Sequence, residues 1–149
     1  MSQDLNGEIM DALIEILKQM GTVGQAISAG FGLNGSDGMA LHKIDEPMSM
    51  KELSLRLGCD ASFVTAIADS LEKHGLAKRE PSQRDRRSKN IVLTDHGKAV
   101  REQITAEVTA RMPWCNALDT GEREAFLELL RKMSAKGGDR VTPEAAVSS

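Results

Sequence analysis

The stretch Ser49-Met50-Lys51-Glu52-Leu53-Ser54-Leu55-Arg56-Leu57-Gly58-Cys59-Asp60, continuing Ala61-Ser62-Phe63-Val64-Thr65-Ala66-Ile67-Ala68-Asp69-Ser70-Leu71-Glu72-Lys73-His74-Gly75-Leu76, decides the fold. Ser49 and Glu52 have the spacing of a capping box, in which the hydroxyl accepts from a free amide of the first turn and the carboxylate reaches back. Met48 and Leu53 stand where a hydrophobic staple would be. Met50, Leu53 and Leu57 give this helix an apolar face, and Gly58 ends it. Asp60 is the next cap, so a second helix is predicted from Ala61 to Lys73. Val64, Ile67, Ala68 and Leu71 fall at i, i+3, i+4 and i+7 and define its buried face. The opposite face is Ser62, Thr65, Ala66, Asp69 and Lys73, small and mostly polar, with one basic residue at the far end. Gly75 supplies the left-handed residue that stops the helix, and Leu76 can fold back on Leu71 as in a Schellman motif. Two helices joined by a glycine-containing turn are a helix-turn-helix pattern, whose second helix enters the major groove in DNA-binding proteins. Alone the pattern is weak, because any helical bundle contains such pairs.

The next segment of the chain sharpens it. Leu76-Ala77-Lys78-Arg79-Glu80 and Asn90-Ile91-Val92-Leu93 are short β-prone runs. Between them lies Pro81-Ser82-Gln83-Arg84-Asp85-Arg86-Arg87-Ser88-Lys89, so a hairpin with a long basic tip is predicted. Helix, turn, helix and basic-tipped hairpin are the plan of a winged helix. Thr94 and Asp95 cap a further helix with Val100, Ile104, Val108 and Met112 as apolar positions, and Pro113 should kink or interrupt it. Asp119-Thr120-Gly121-Glu122 is a second box-like start, followed by the stripe Phe126, Leu129, Leu130 and Met133. On the N-terminal side, Leu5, Ile9, Leu13, Ile16, Leu17 and Met20 recur at three and four, which predicts an amphipathic helix within residues 4–30. Gly21 and Gly24 predict a bend or an end after Met20. Asn34 caps a short helix with Met39, Leu41 and Ile44 as its apolar contacts, closed by Pro47. Residues 137–149 are rich in Gly, Pro, Ala and Ser and are expected to be a disordered tail.

Composition bounds the function. A chain of 149 residues predicts one domain, and 40% apolar with 28% charged residues is ordinary for a soluble globular protein. No run approaches the ~20 apolar residues that span a bilayer, so no membrane partner is expected. Asp4 and Glu8 stand where a secretion signal would be basic, and two cysteines make no disulfide framework; a reducing cytoplasm is the expected location. The absence of tyrosine, with one tryptophan and three phenylalanines, argues against a stacking platform for single strands. A net charge of −3 alone argues against nucleic acid. The average hides an asymmetry: residues 73–101 carry nine basic and three acidic side chains, net +6, whereas residues 1–50 are net −5. Such a patch attracts polyanions whatever the total charge, although a solvated basic loop has the same composition. No nucleophile elbow, phosphate-binding glycine loop or zinc-type Cys/His spacing occurs; no enzyme activity, cofactor or metal is expected.

The residues Leu53, Leu57-Gly58, Asp60, Val64, Leu71-Glu72-Lys73-His74-Gly75-Leu76, Arg79, Asp85-Arg86-Arg87, Leu93-Thr94 and Gly97 together resemble the MarR family of bacterial transcription regulators. The likeness is dense over Leu33–Arg101 and follows only the helical layout elsewhere. Its specific part is Asp-x-Arg in the wing followed by Leu-Thr-x-x-Gly. The resemblance implies a mainly α winged helix-turn-helix protein with a small β-hairpin wing, in a single domain over residues 1–136. Residues 34–93 would form the DNA-binding lobe, and 4–30 with 95–134 the helices of a homodimer base. It further implies a repressor of transcription on a pseudo-palindromic site in double-stranded DNA, modulated by a small molecule bound between base and lobes. A two-fold dimer puts half-sites about one turn apart, ~34–36 Å.

By the resemblance, Arg87 enters the minor groove from the wing tip, with Asp85 holding its guanidinium. Arginine suits a narrow groove of concentrated negative potential. The competing reading is an Asp85–Arg87 ion pair that only shapes the hairpin. Arg84, Arg86 and Lys89 are then phosphate contacts or a solvated loop. Ser62, Thr65 and Ala66 face base edges, where hydroxyls can bond to bases and methyls can meet thymine, or form an ordinary exposed helix face. Family members often have an arginine at the positions of Ala61 or Ala66, and here neither is one, which shifts weight to the wing, to shape and to phosphates. It also leaves open a winged-helix module that binds a protein partner, or DNA without sequence specificity. Phe63 stands at the edge of the two faces and is expected in the core, with contact to DNA as the competing reading. Cys59 is expected to pack as a small apolar residue, although a thiol near a helix start can be redox-sensitive. His74 is expected to cap a helix end, and Trp114 to line a dimer core or a ligand pocket.

Overall fold

The structure is a computed structural model and describes residues 2–137. The elements run α1 (Ser2–Ala29), α2 (Gly35–Lys43), β1 (Met48–Ser49), α3 (Met50–Leu57), α4 (Ala61–Lys73), β2 (Ala77–Pro81), β3 (Lys89–Leu93), α5 (Asp95–Ala110), α6 (Pro113–Ala117) and α7 (Thr120–Gly137). They divide into two compact units, before and after the Met112–Pro113 junction. Gly137 closes α7; the rest of the expected tail, residues 138–149, lies outside the described residues. The fold is mainly helical with a small antiparallel sheet.

In the first unit, side chains cap the starts of four helices. Asn34 accepts from the Asp37 amide (2.8 Å), Ser49 from Glu52 (3.1 Å), Asp60 from Phe63 (2.9 Å) and Thr94 from Gly97 (3.0 Å). Three helices stop at left-handed glycines, Gly32, Gly58 and Gly75, with φ of 75°, 64° and 70°. At Gly75 the amides of Gly75 and Leu76 return to the carbonyls of Glu72 (3.0 Å) and Leu71 (2.9 Å), the Schellman pattern expected there. His74 adds a bond from its ring Nδ1 to the Ser70 carbonyl (2.7 Å), so it does cap the helix end. Val64, Ile67, Ala68 and Leu71 of α4 are buried as their spacing predicts, in one core with Leu53, Leu41, Ile44, Ile91, Val100 and Ile104.

Several expectations are corrected. α1 is unbroken through Gly21 and Gly24. Val23 and Ile27, beyond Gly21 and on either side of Gly24, pack on the core, and that burial outweighs the ~1 kcal/mol that each glycine costs a helix. The hairpin has a third strand beside it: the sheet order is β1-β3-β2, with Met48 opposite Ile91 and Ser49 opposite Asn90. Met48 is therefore a buried strand residue, not merely a staple. The Glu52 carboxylate does not return to Ser49 but bonds Arg56 at 3.2 Å, so only half of that capping box forms. Met39 is 53% exposed, and its place in the core is taken by Ala40. The loop of the hairpin shortens to residues 82–88, because Pro81 and Lys89 pair at the strand ends. Pro81 is tolerated there because β2 is an edge strand.

Gly97 explains the Leu-Thr-x-x-Gly spacing physically. The Thr94 amide donates to the Leu76 carbonyl (3.0 Å) and its hydroxyl to the Gly75 carbonyl (2.7 Å), pinning the start of α5 onto the end of α4. A Cβ at position 97 would overlap the Leu76 carbonyl oxygen.

In the second unit, Pro113 opens α6 at a position where its missing N–H leaves no bond unmade. The Asp119–Glu122 box forms in both directions, each carboxylate accepting the other's amide at 2.9 Å. Trp114 packs on Phe126 with ring centroids 6.2 Å apart.

Candidate nucleic-acid interface

Asp60 starts α4 and holds its first turn. Its carboxylate accepts the Phe63 amide and the Ser62 hydroxyl (2.7 Å). These two bonds, the hydroxyl first, hold the Asp60 carboxyl below its usual value. Thr65 donates its hydroxyl to the Ala61 carbonyl (2.9 Å). Both hydroxyl donors of the candidate reading face are thus occupied within the helix. Ser62, Thr65 and Ala66 all lie exposed on one side of α4, as the spacing predicts. Phe63 does not go to the core; it is 48% exposed in the first turn, because Val64 and Ile67 fill the apolar side of the helix and leave the edge open.

The wing is closed beyond its strands by a bond from the Ser82 amide to the Ser88 carbonyl (2.9 Å). Asp85 organises the tip through the backbone: its carboxylate accepts the Arg87 amide (3.0 Å), and its carbonyl accepts from the Ser88 amide (3.1 Å). The expected grip on the Arg87 guanidinium is absent among the described residues, since the Asp85 carboxylate is turned into this Asx-type turn. Arg84, Arg86, Arg87 and Lys89 are exposed, and among the described residues none of them is in an ion pair.

The two cations of strand β2 behave differently. Arg79 is 23% exposed and forks between Asp69 (2.8 Å) and Glu72 (2.9 Å) of α4. Lys78 pairs with Glu80 at 2.9 Å, and that pairing raises the pKa of its ammonium. Within the hairpin, the cations outside ion pairs are therefore those at the tip. The Arg79 fork was not readable in the sequence: Asp69 and Glu72 share a helix face at i, i+3, but only the path of the hairpin brings Arg79 to them. The fork locks wing to helix and pairs two carboxylates of α4. Arg56 similarly ties α3 to the α2–β1 turn, through Asp45 (2.8 Å) and Glu46 (3.6 Å), and pairs with Glu52 (3.2 Å) of its own helix.

A cleft of about 230 Å³ lies in the same unit, lined by residues that include Ile44, Asp45, Val92, Lys98, Arg101 and Glu102. Among the described residues no three His, Cys, Asp or Glu side chains group as metal ligands. No described helix is long and apolar enough to cross a membrane. Cys59 is partly buried against the core, and Cys59 and Cys115 form no disulfide.

Residues 39–89, which run from α2 through the helix-turn-helix to the first residue of β3, match the MarR family profile. HTH-type transcriptional regulator PapX of Escherichia coli is 30% identical over 137 residues, 88% of this chain and 83% of that protein. The chain belongs to the MarR family, a family of transcription regulators. Transcriptional repressor MprA of Escherichia coli K12 is 31% identical over 110 residues, 70% of this chain; the match spans 62% of the repressor's own length. AbsC, a MarR family transcriptional regulator from Streptomyces coelicolor, has the same fold: TM-score 0.75 at 20% identity, over 91% of this chain and 94% of that one.

Proposed function

We propose that this protein is a sequence-specific regulator of transcription that binds double-stranded DNA as a homodimer. The observation that carries the reading is the cluster of four exposed cations, Arg84, Arg86, Arg87 and Lys89, on a closed hairpin beside a helix with a small, exposed outer face. In this reading α4 enters the major groove with Ser62, Thr65 and Ala66 toward base edges. Arg87 enters the minor groove, Asp85 shapes the turn that presents it, and Arg84, Arg86 and Lys89 contact phosphates. The backbone contacts supply affinity and register, and the groove contacts supply sequence. Family membership supports this, and so does a protein of the same fold, AbfR, solved bound to DNA (TM-score 0.67, 20% identity).

A second copy is called for by apolar surface. Leu5, Ile9, Leu13 and Leu17 of α1 are 41–63% exposed, and Leu129 and Met133 of α7 are 58% and 56% exposed. Faces of that size on two helices are not left to water in a stable regulator. We read the sign of regulation as repression, exerted in the cytoplasm and relieved by a small effector, the mode that family membership suggests. The exposed Phe63 and Leu55 (75%), with no cation on α4 before Lys73, favour a second reading in which the lobe binds a protein. Selection of binding sites from random duplex DNA at near-physiological salt separates the two. Enrichment of a pseudo-palindrome with half-sites ~34–36 Å apart is expected. Weak, salt-sensitive binding without enrichment would favour the protein partner or a sequence-indifferent binder.

A further inference from the structure

We infer that the outer face of α4 reads thymine methyl groups, so that the half-site is specified by A·T pairs in the major groove rather than by guanine. The inference rests on the DNA-reading function proposed above and concerns the same helix. Guanine presents two acceptors in the major groove, and its usual reader is the bidentate fork of arginine or lysine. This face carries neither in its first three turns. The donors it does have are occupied: the Ser62 hydroxyl by Asp60 (2.7 Å) and the Thr65 hydroxyl by the Ala61 carbonyl (2.9 Å). The nearby cation Arg79 is held in its fork by Asp69 and Glu72. What remains for a base edge is apolar surface and oxygen lone pairs. Phe63 offers a half-exposed aromatic ring, and Ala66 and Thr65 each offer a methyl. Ser62, Phe63, Thr65 and Ala66 stand in the first two turns, the part of a recognition helix that meets base edges. An A·T pair suits them on both counts. The thymine C5-methyl is the apolar feature of the groove, and the adenine N6 amino group is a donor for the free lone pairs of Ser62 and Thr65.

The test uses the full chain and duplexes carrying the selected site, each thymine of the half-site replaced in turn by deoxyuridine. Uracil pairs as thymine does and lacks only the methyl. Loss of about fourfold in affinity is expected at each thymine that Phe63 or Ala66 covers, the worth of one buried methyl-sized group. Uracil outside the half-site should change nothing. In Phe63→Ala the uracil penalty should vanish at one position, while Arg87→Ala should weaken thymine and uracil sites in the same proportion. Equal affinity of the unaltered protein for thymine and uracil sites, or a selected half-site built on guanine, would overturn the inference and leave the DNA-reading function standing. Failure to select any site would overturn both.

Discussion

Gly97 is the residue at which sequence motif and physical cause meet most plainly. Its hydrogen atom lies where any Cβ would overlap the Leu76 carbonyl, in the joint that sets α5 against the end of α4 and the first strand of the hairpin. Gly97→Ala should therefore destabilise the fold by about 1–3 kcal/mol through overpacking, despite alanine's better helix propensity. Urea unfolding reads this directly; an unchanged midpoint would mean that the joint is looser than its hydrogen bonds imply. Other residues show where sequence reading stops. The spacing of Asp85 and Arg87 is visible in the sequence, but its use is not: the carboxylate binds a backbone amide and leaves the guanidinium free of it. Phe63 reads as core because it is large and apolar, yet it sits about 100° of helix rotation before Val64 and stays at the margin once Val64 and Ile67 have filled the inside. Glu52 has the right spacing for a full capping box and finds its partner in Arg56 instead.

At the scale of elements, helix starts are legible because each is one side chain satisfying one amide within three residues, as Asn34, Ser49, Asp60 and Thr94 do. Strand β1 is not legible. Two residues carry no periodicity, and Met48 and Ser49 are strand only because β3 lies beside them. The unbroken α1 is a similar case, since what carries it past two glycines is tertiary burial of Val23 and Ile27. The cap of α4 gives a pH prediction. The Asp60 carboxyl is held below its ordinary value in the folded protein, by the Ser62 hydroxyl and then the Phe63 amide. Its contribution is then present above the unfolded value of about 3.9 and is lost as pH falls through the lower folded value. Asp60→Asn keeps a good cap that does not titrate. Between about pH 5 and pH 3 it should lose less stability than the unaltered protein, by urea midpoints. Identical acid slopes would show that the cap is not what the helix start depends on.

For the whole molecule, two features point beyond a single chain. The net charge of −3 says little, because exposed cations gather at one tip while Lys78 and Arg79 of the wing are already paired. The apolar faces of α1 and α7 say more. Leu17, 63% exposed on α1, should lie in the interface of the proposed dimer, and Leu17→Glu should give monomers by light scattering while retaining helical circular dichroism. A variant that stays dimeric would move the interface elsewhere. The central claim is that two copies read a DNA sequence. It is tested most directly by the ratio of affinities for the selected duplex and a scrambled one, at fixed near-physiological salt. A sequence reader should show a ratio of about 10³ or more. Arg87→Ala should lower affinity for the selected site by about 1–3 kcal/mol. A ratio near one, unchanged by Arg87→Ala, would contradict the account.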